Sequence, residues 1–137
     1  MNPELKVIIY EQRKLFKKML DLLDEQYDLI LEKDATLLDR VARNLESTSR
    51  EVAKLEIKRR NIVEENTSMS SLVDMCNDEN IKEAFEEVKS TLKMIEIQKD
   101  SNNTLLKQKL LFTKKMLNMI NPRQGVGTYN YCGQVGK

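Results

Sequence analysis

Residues 2–33 read NPELKVIIYEQRKLFKKMLDLLDEQYDLILEK, and the fold follows from how apolar side chains are spaced along them. Leu5, Ile8, Gln12, Leu15, Met19, Leu22, Gln26 and Leu29 keep a strict alternation of three and four residues. Ile9, Phe16, Leu20, Leu23, Tyr27 and Ile30 widen that stripe along one side. A seam of period 3.5 held this long predicts a helix that packs as coiled-coil helices do. Asn2-Pro3-Glu4 supplies its start: a capping side chain, a proline where a missing N–H costs nothing, and an acid near the positive helix end. The helix should reach about Lys33, a length of roughly 45 Å at about 1.5 Å per residue. That is too long for the side of a small globule.

Lys33-Asp34-Ala35 predicts a corner, with Asp34 placed to cap a second helix. Leu38, Val41, Leu45, Thr48, Val52, Leu55 and Ile62 continue the seam, with Arg59 at one seam position. So short a connection predicts an antiparallel hairpin. Asn66 to Ser71 is a run of residues that support a helix interior poorly, and ends the second helix. A short helix is expected around Ser71 to Cys76, with Asn77-Asp78 capping a third long helix from about Glu79. Its inner face is read as Ile81, Phe85, Val88, Leu92 and Ile95, which would put Lys99 and Asn102 at the next seam positions. The interval from Gln98 to Thr104 either continues the helix through a polar layer that fixes register or breaks it near Ser101. The absence of Gly and Pro there favours continuity. Asn121-Pro122 must stop the helix. Arg123 to Lys137 holds all four glycines of the chain and predicts a mobile tail. The expected architecture is all-α: an elongated antiparallel bundle of three long helices plus a short one, spanning 1–121, with a flexible tail over 122–137.

Composition agrees with this class. A third of the 137 residues are charged and only 5% are aromatic, the profile of long helices with solvated faces. The net charge of +1 gives no global field for nucleic acid or an anionic membrane. Cys76 and Cys132 have no framework spacing, which suggests a reducing compartment. Lys6, Glu11 and Arg13 break any signal-like apolar run, and no stretch approaches a membrane span. A cytoplasmic protein is expected. The chain has no histidine, the commonest general base and metal ligand. Adjacent carboxylates such as Glu64-Glu65 point in different directions on a helix and suit solvated faces better than an acid–base pair. Neither an enzyme nor a cofactor or metal site is expected.

The functional clue lies in Asn103 to Ile120. On a wheel of 100° per residue, Leu105, Leu106, Leu110, Phe112, Met116, Leu117, Met119 and Ile120 fill one arc of about half the circumference. A stripe of about 100° is enough for one neighbour, so this arc leaves apolar surface for a helix of another protein. Lys109 interrupts the arc and Leu111 points to the opposite, lysine-bearing side. After Asp100 there is no acid, while Lys107, Lys109, Lys114, Lys115, Arg123 and Lys137 bring a charge of +6.

Three pieces of sequence then carry a resemblance. Leu29-Ile-Leu-Glu-Lys-Asp-Ala-Thr-Leu-Leu-Asp-Arg-Val41 is similar to the helical corner of FlgN-type flagellar export chaperones. Leu55-Glu56, Arg59 or Arg60 and Ile62-Val63 resemble the end of that family's second helix. The third piece is Asn103-Thr-Leu105-Leu106 with Leu110, Phe112, Leu117 and Ile120, followed by Thr128-Tyr129 and Gly133-Gln134. The departure is Asn130-Tyr131-Cys132, where the family more often has glycine, proline and aspartate.

The resemblance implies a chaperone that binds the C-terminal helical segments of hook-filament junction proteins and keeps them from assembling before export. It also raises export-apparatus components as further partners. The partner-binding residues expected here are Leu105, Leu106, Lys109, Leu110, Phe112, Lys114, Met116 and Leu117, with Tyr129 and Tyr131 from the tail. The methionines suit a face that adapts to more than one client, although ordinary core filling competes as their explanation. A free protein of this kind should be a monomer or weak dimer. The alternative is a coiled-coil adaptor that oligomerises through its hairpin. A membrane-surface helix is disfavoured, because Lys109 and Leu111 blunt its two faces.

Overall fold

The computed structural model describes residues 1–120. It contains α1 (Pro3–Glu32), α2 (Ala35–Ile62), α3 (Met69–Met75) and α4 (Glu79–Ile120). No strand occurs among the described residues, and the architecture is the expected all-α bundle. The described residues fall into two units, Met1–Asn102 and the residues from Asn103 on, and the boundary lies within α4. The tail expected from Arg123 onward, with Tyr129, Tyr131 and Cys132, lies outside the described residues.

The helix ends form where local chemistry places them. Asn2 Oδ1 accepts from the Glu4 N–H at 2.8 Å, starting α1. At the corner, Lys33 adopts left-handed φ 60 and ψ 35, and the Lys33 and Asp34 N–H groups bond back to the Ile30 and Leu29 carbonyls, both at 3.3 Å. A lysine there carries a steric cost of about 1 kcal/mol that a glycine would not. Asp34 Oδ1 accepts from Leu37 N–H at 3.0 Å and opens α2. Ser68 caps α3 through Ser71 N–H at 3.1 Å, so that helix begins at Met69, two residues before the expected start. The serine-rich run offers several possible caps, and Ser68 is the one used. Asp78 Oδ1 takes the Asn80 and Ile81 N–H groups at 3.0 and 3.3 Å, starting α4 at the expected residue.

In the unit Met1–Asn102, α1 is the shared element. Its Ile9 packs in a cluster with Val73 and Cys76 at the end of α3 and with Ile81 and Ala84 of α4. Seven and fourteen residues further on, Phe16 and Leu23 pack with Val88 and Ile95, and Leu45 and Val52 of α2 lie against the same cluster. Both series step by seven, the repeat of a heptad seam. Successive long helices are antiparallel, so α1 and α4 run parallel. Ion pairs mark that register: Lys6 with Asp78 at 3.0 Å, and Glu87 with Arg13 at 3.0 Å and Lys17 at 3.1 Å. The Lys6 hydrogen bond holds the Asp78 carboxyl below its usual pKa and raises that of Lys6. Lys17 and then Arg13 lower Glu87. On α2, half-buried Arg59 donates Nε–H and a terminal N–H to the two oxygens of Glu56, which lets a cation occupy a seam position and lowers the Glu56 pKa.

One detail of α4 differs from the sequence expectation, and one favoured reading, its continuity through the polar interval, holds. Its inner row runs through Ala84, Thr91 and half-buried Gln98, whereas Phe85 is half-buried and Leu92 and Lys99 are exposed. Ile81, Val88 and Ile95 belong to both possible 3–4 frames, and the small side chains at 84 and 91 permit closer helix approach than Phe and Leu. The polar interval is helical throughout. Within it Asn102 is buried, donating from Nδ2 to the Leu23 carbonyl and to Gln26 Oε1, each at 2.8 Å, while its Oδ1 accepts from Gln98 Nε2 at 3.0 Å. A buried amide left unpaired would cost roughly 1–3 kcal/mol on protein mutational scales, and this one has partners on both ends.

Candidate interaction surface

Residues 103–120 of α4 contain neither Gly nor Pro, and their regular backbone puts the apolar side chains other than Leu111 on one arc. Thr113 does not interrupt it, since its Oγ1 donates back to the Lys109 carbonyl at 3.0 Å. Along this stretch Leu106, Leu110, Phe112, Met116, Leu117, Met119 and Ile120 are each 41% to 79% exposed. Buried apolar residues in the first unit are 0% to 8% exposed. Leu105 and Lys109 are half-buried and Lys114 is exposed. Of the ten expected contact residues, eight therefore lie on this one helical segment, and Tyr129 and Tyr131 fall outside the described residues.

The arc divides into two rows. Leu105, Lys109, Phe112, Met116 and Met119 follow one 3–4 spacing, and Leu106, Leu110, Thr113 and Leu117 follow another about 100° away. Such a surface can seat the apolar face of an amphipathic helix, with Lys107 and Lys114 on the flank of the second row to meet acids. It carries no arrangement for bond chemistry. Isolated exposed apolar residues are ordinary on protein surfaces, whereas these seven lie together on one helical face.

A second surface was not anticipated from the sequence. The N-terminal part of α1 and the C-terminal part of α2 enclose a groove of about 580 Å³, lined by Glu4, Val7, Ile8, Glu11, Leu55, Lys58, Asn61 and Ile62. Val7 at its lip is 59% exposed. The available signal was Val7 itself, an apolar residue beside the α1 stripe with no assigned neighbour.

No helix of the described residues is long and apolar enough to cross a membrane. Neither the curated proteins nor the solved structures provide a significant match to the chain. The family model described as FlgN protein matches residues 1–136, nearly the full length. The chain belongs to the FlgN family of flagellar export chaperones.

Proposed function

We propose that this protein is a cytoplasmic chaperone that covers the C-terminal helical segments of hook-filament junction proteins and keeps them from assembling before export. The observation that carries this reading is the continuous exposed apolar arc of residues 105–120 in a segment without acids. A segment that polymerises by helix packing presents an apolar face, and a second helix can mask it reversibly without ATP. Leu105, Leu106, Leu110, Phe112, Met116 and Leu117 form the client contact, Lys109 and Lys114 attract acidic rim residues, and Tyr129 and Tyr131 add contacts from the tail. Export-apparatus components are the proposed second class of partner. The adaptor alternative draws less support, because Leu45 and Val52 of the hairpin seam already pack in the core within the chain.

Calorimetric titration with the C-terminal fragment of a hook-filament junction protein tests the proposal. One-to-one binding below about 1 μM, worth about 8 kcal/mol, is expected. A Leu106→Asp, Leu110→Asp double variant should abolish it while keeping its helical circular dichroism, because both side chains are exposed. Absence of heat and of a complex on size exclusion, with both proteins folded, would remove this reading.

A further inference from the structure

We infer that the client occupies residues 105–120 as an antiparallel pair of helices, one on each row of the arc, and not as a single helix. The inference rests on the client reading above and adds the shape of the bound segment. In the first unit, α4 already has a face covered in this way. Val88 and Ile95 pack with Phe16 and Leu23 of α1, and Leu45 and Val52 of α2 lie against the same cluster. Two antiparallel helices thus share one face of α4. Its seam positions Ile81, Val88, Ile95 and Asn102 continue by sevens to Lys109 and Met116 in the same unbroken helix. The hairpin that supplies the cover stops at its corner, with α1 ending at Glu32 and α2 starting at Ala35.

Beyond Asn102 the face widens. One column spaced by sevens carries Lys82, Lys89, Glu96 and Asn103, and then turns to Leu110 and Leu117, both exposed. With that column apolar the arc spans about half the circumference, whereas a single neighbour needs a stripe of about 100°. A helix docked on Leu106, Leu110 and Leu117 would leave Phe112, Met116 and Met119 in water, and the reverse holds for the other row. A single helix laid over the middle of the arc fares no better, because Lys109 stands there and its ammonium would be buried beneath the apolar face of the client. Between two helices the same lysine is well placed. Its aliphatic stem can lie in the crease while its charge meets an acid of either helix. Cations also stand outside both rows: Lys107 and Lys114 beside the leucine row, and Lys115 beside Met119, all exposed. Each client helix should therefore carry acids on its outer edge. From Leu105 to Ile120 the arc is about 23 Å long at about 1.5 Å per residue, so each helix needs about 16 residues and the pair with its turn about 35.

Photo-crosslinking on the full-length chain tests this, with benzoylphenylalanine placed at Phe112 in one variant and at Leu110 in another. The probe is a C-terminal fragment of a hook-filament junction protein longer than the helical pair. The two positions lie on opposite rows at nearly the same height, about 160° apart around α4. Mass spectrometry should find the two crosslinks in two different client helices, separated in sequence by a turn. In titration, Phe112→Asp and Leu110→Asp should each weaken one-to-one binding about tenfold or more, with unchanged helical circular dichroism because both side chains are exposed. Crosslinks from both positions to one stretch of client would overturn the inference and leave the chaperone reading intact. So would a variant of either row that binds as tightly as the unaltered chain. A fragment that does not bind at all would remove the chaperone reading and this inference with it.

Discussion

The first unit and residues 103–120 share a helix and a periodicity, yet their apolar residues have opposite fates. Ile81, Val88 and Ile95 are buried against Ile9, Phe16 and Leu23, whereas Leu110, Phe112 and Leu117, with comparable spacing, remain exposed. A 3–4 pattern therefore says that a helix has a face to cover. It does not say whether the cover comes from the same chain. What separates the segments is the stock of partners: α1 offers one every seven residues along Ile81, Val88 and Ile95, and it ends at Glu32.

The largest test of this contrast is a matched truncation series. Phe16→Ala or Ile81→Ala should cost about 3 kcal/mol or more in urea unfolding, because each leaves a cavity among buried neighbours. Leu110→Ala or Phe112→Ala should change stability by about 0.5 kcal/mol or less. Similar losses in both sets would show that the arc is covered within the chain and would dissolve the contrast.

A sharper question is what Asn102 does at the edge of the first unit. Asn102→Ala should cost about 1–3 kcal/mol, because Gln98 and Gln26 lose their buried partner. Asn102→Leu should cost less, since it refills the volume and extends the apolar seam. Equal losses in the two variants would mean that the unpaired polar groups, not lost volume, set the penalty.

The smallest effect concerns the ion pairs that align α1 with α4. Glu87 and Asp78 have folded-state pKa values below the usual carboxylate range, so their stabilisation is present above the unfolded value near 4 and disappears as pH falls through the lowered values. Lys6 is raised and contributes with the opposite sign, losing its share only as pH climbs through its elevated pKa. Glu87→Gln should therefore unfold at the same urea concentration as wild type at pH 2 and at a slightly lower one at pH 7. These groups are partly exposed and screened by solvent, so the difference should also shrink in salt. A gap that widens toward low pH would contradict the sign.

Much of the fold was legible because strong local signals agreed. Asn2-Pro3, Asp34 and Asp78 are capping residues placed beside long periodic runs, and the structure uses all three. The inner row of α4 was less legible, because reading for bulk favours Phe85 and Leu92 while packing favours Ala84 and Thr91. Whether Asn102 would be a break or a layer depended on the Leu23 carbonyl and Gln26, seventy-nine and seventy-six residues away in sequence. No local pattern carries that information. The exposed arc was readable as excess width, whereas the groove needed two helices brought together before Val7 acquired a meaning.

The two-residue corner at Lys33 and Asp34 also sets a clock. It brings α1 and α2 together through near-neighbour contacts, which form at small loop-closure entropy, whereas Phe16 and Val88 are separated by more than seventy residues. During synthesis the hairpin is complete before α4 has left the ribosome. Until then the flank of α1 that carries Ile9, Phe16 and Leu23 lacks its α4 partners Ile81, Val88 and Ile95. For that interval a member of an export-chaperone family itself carries an apolar helical face that is still to be covered.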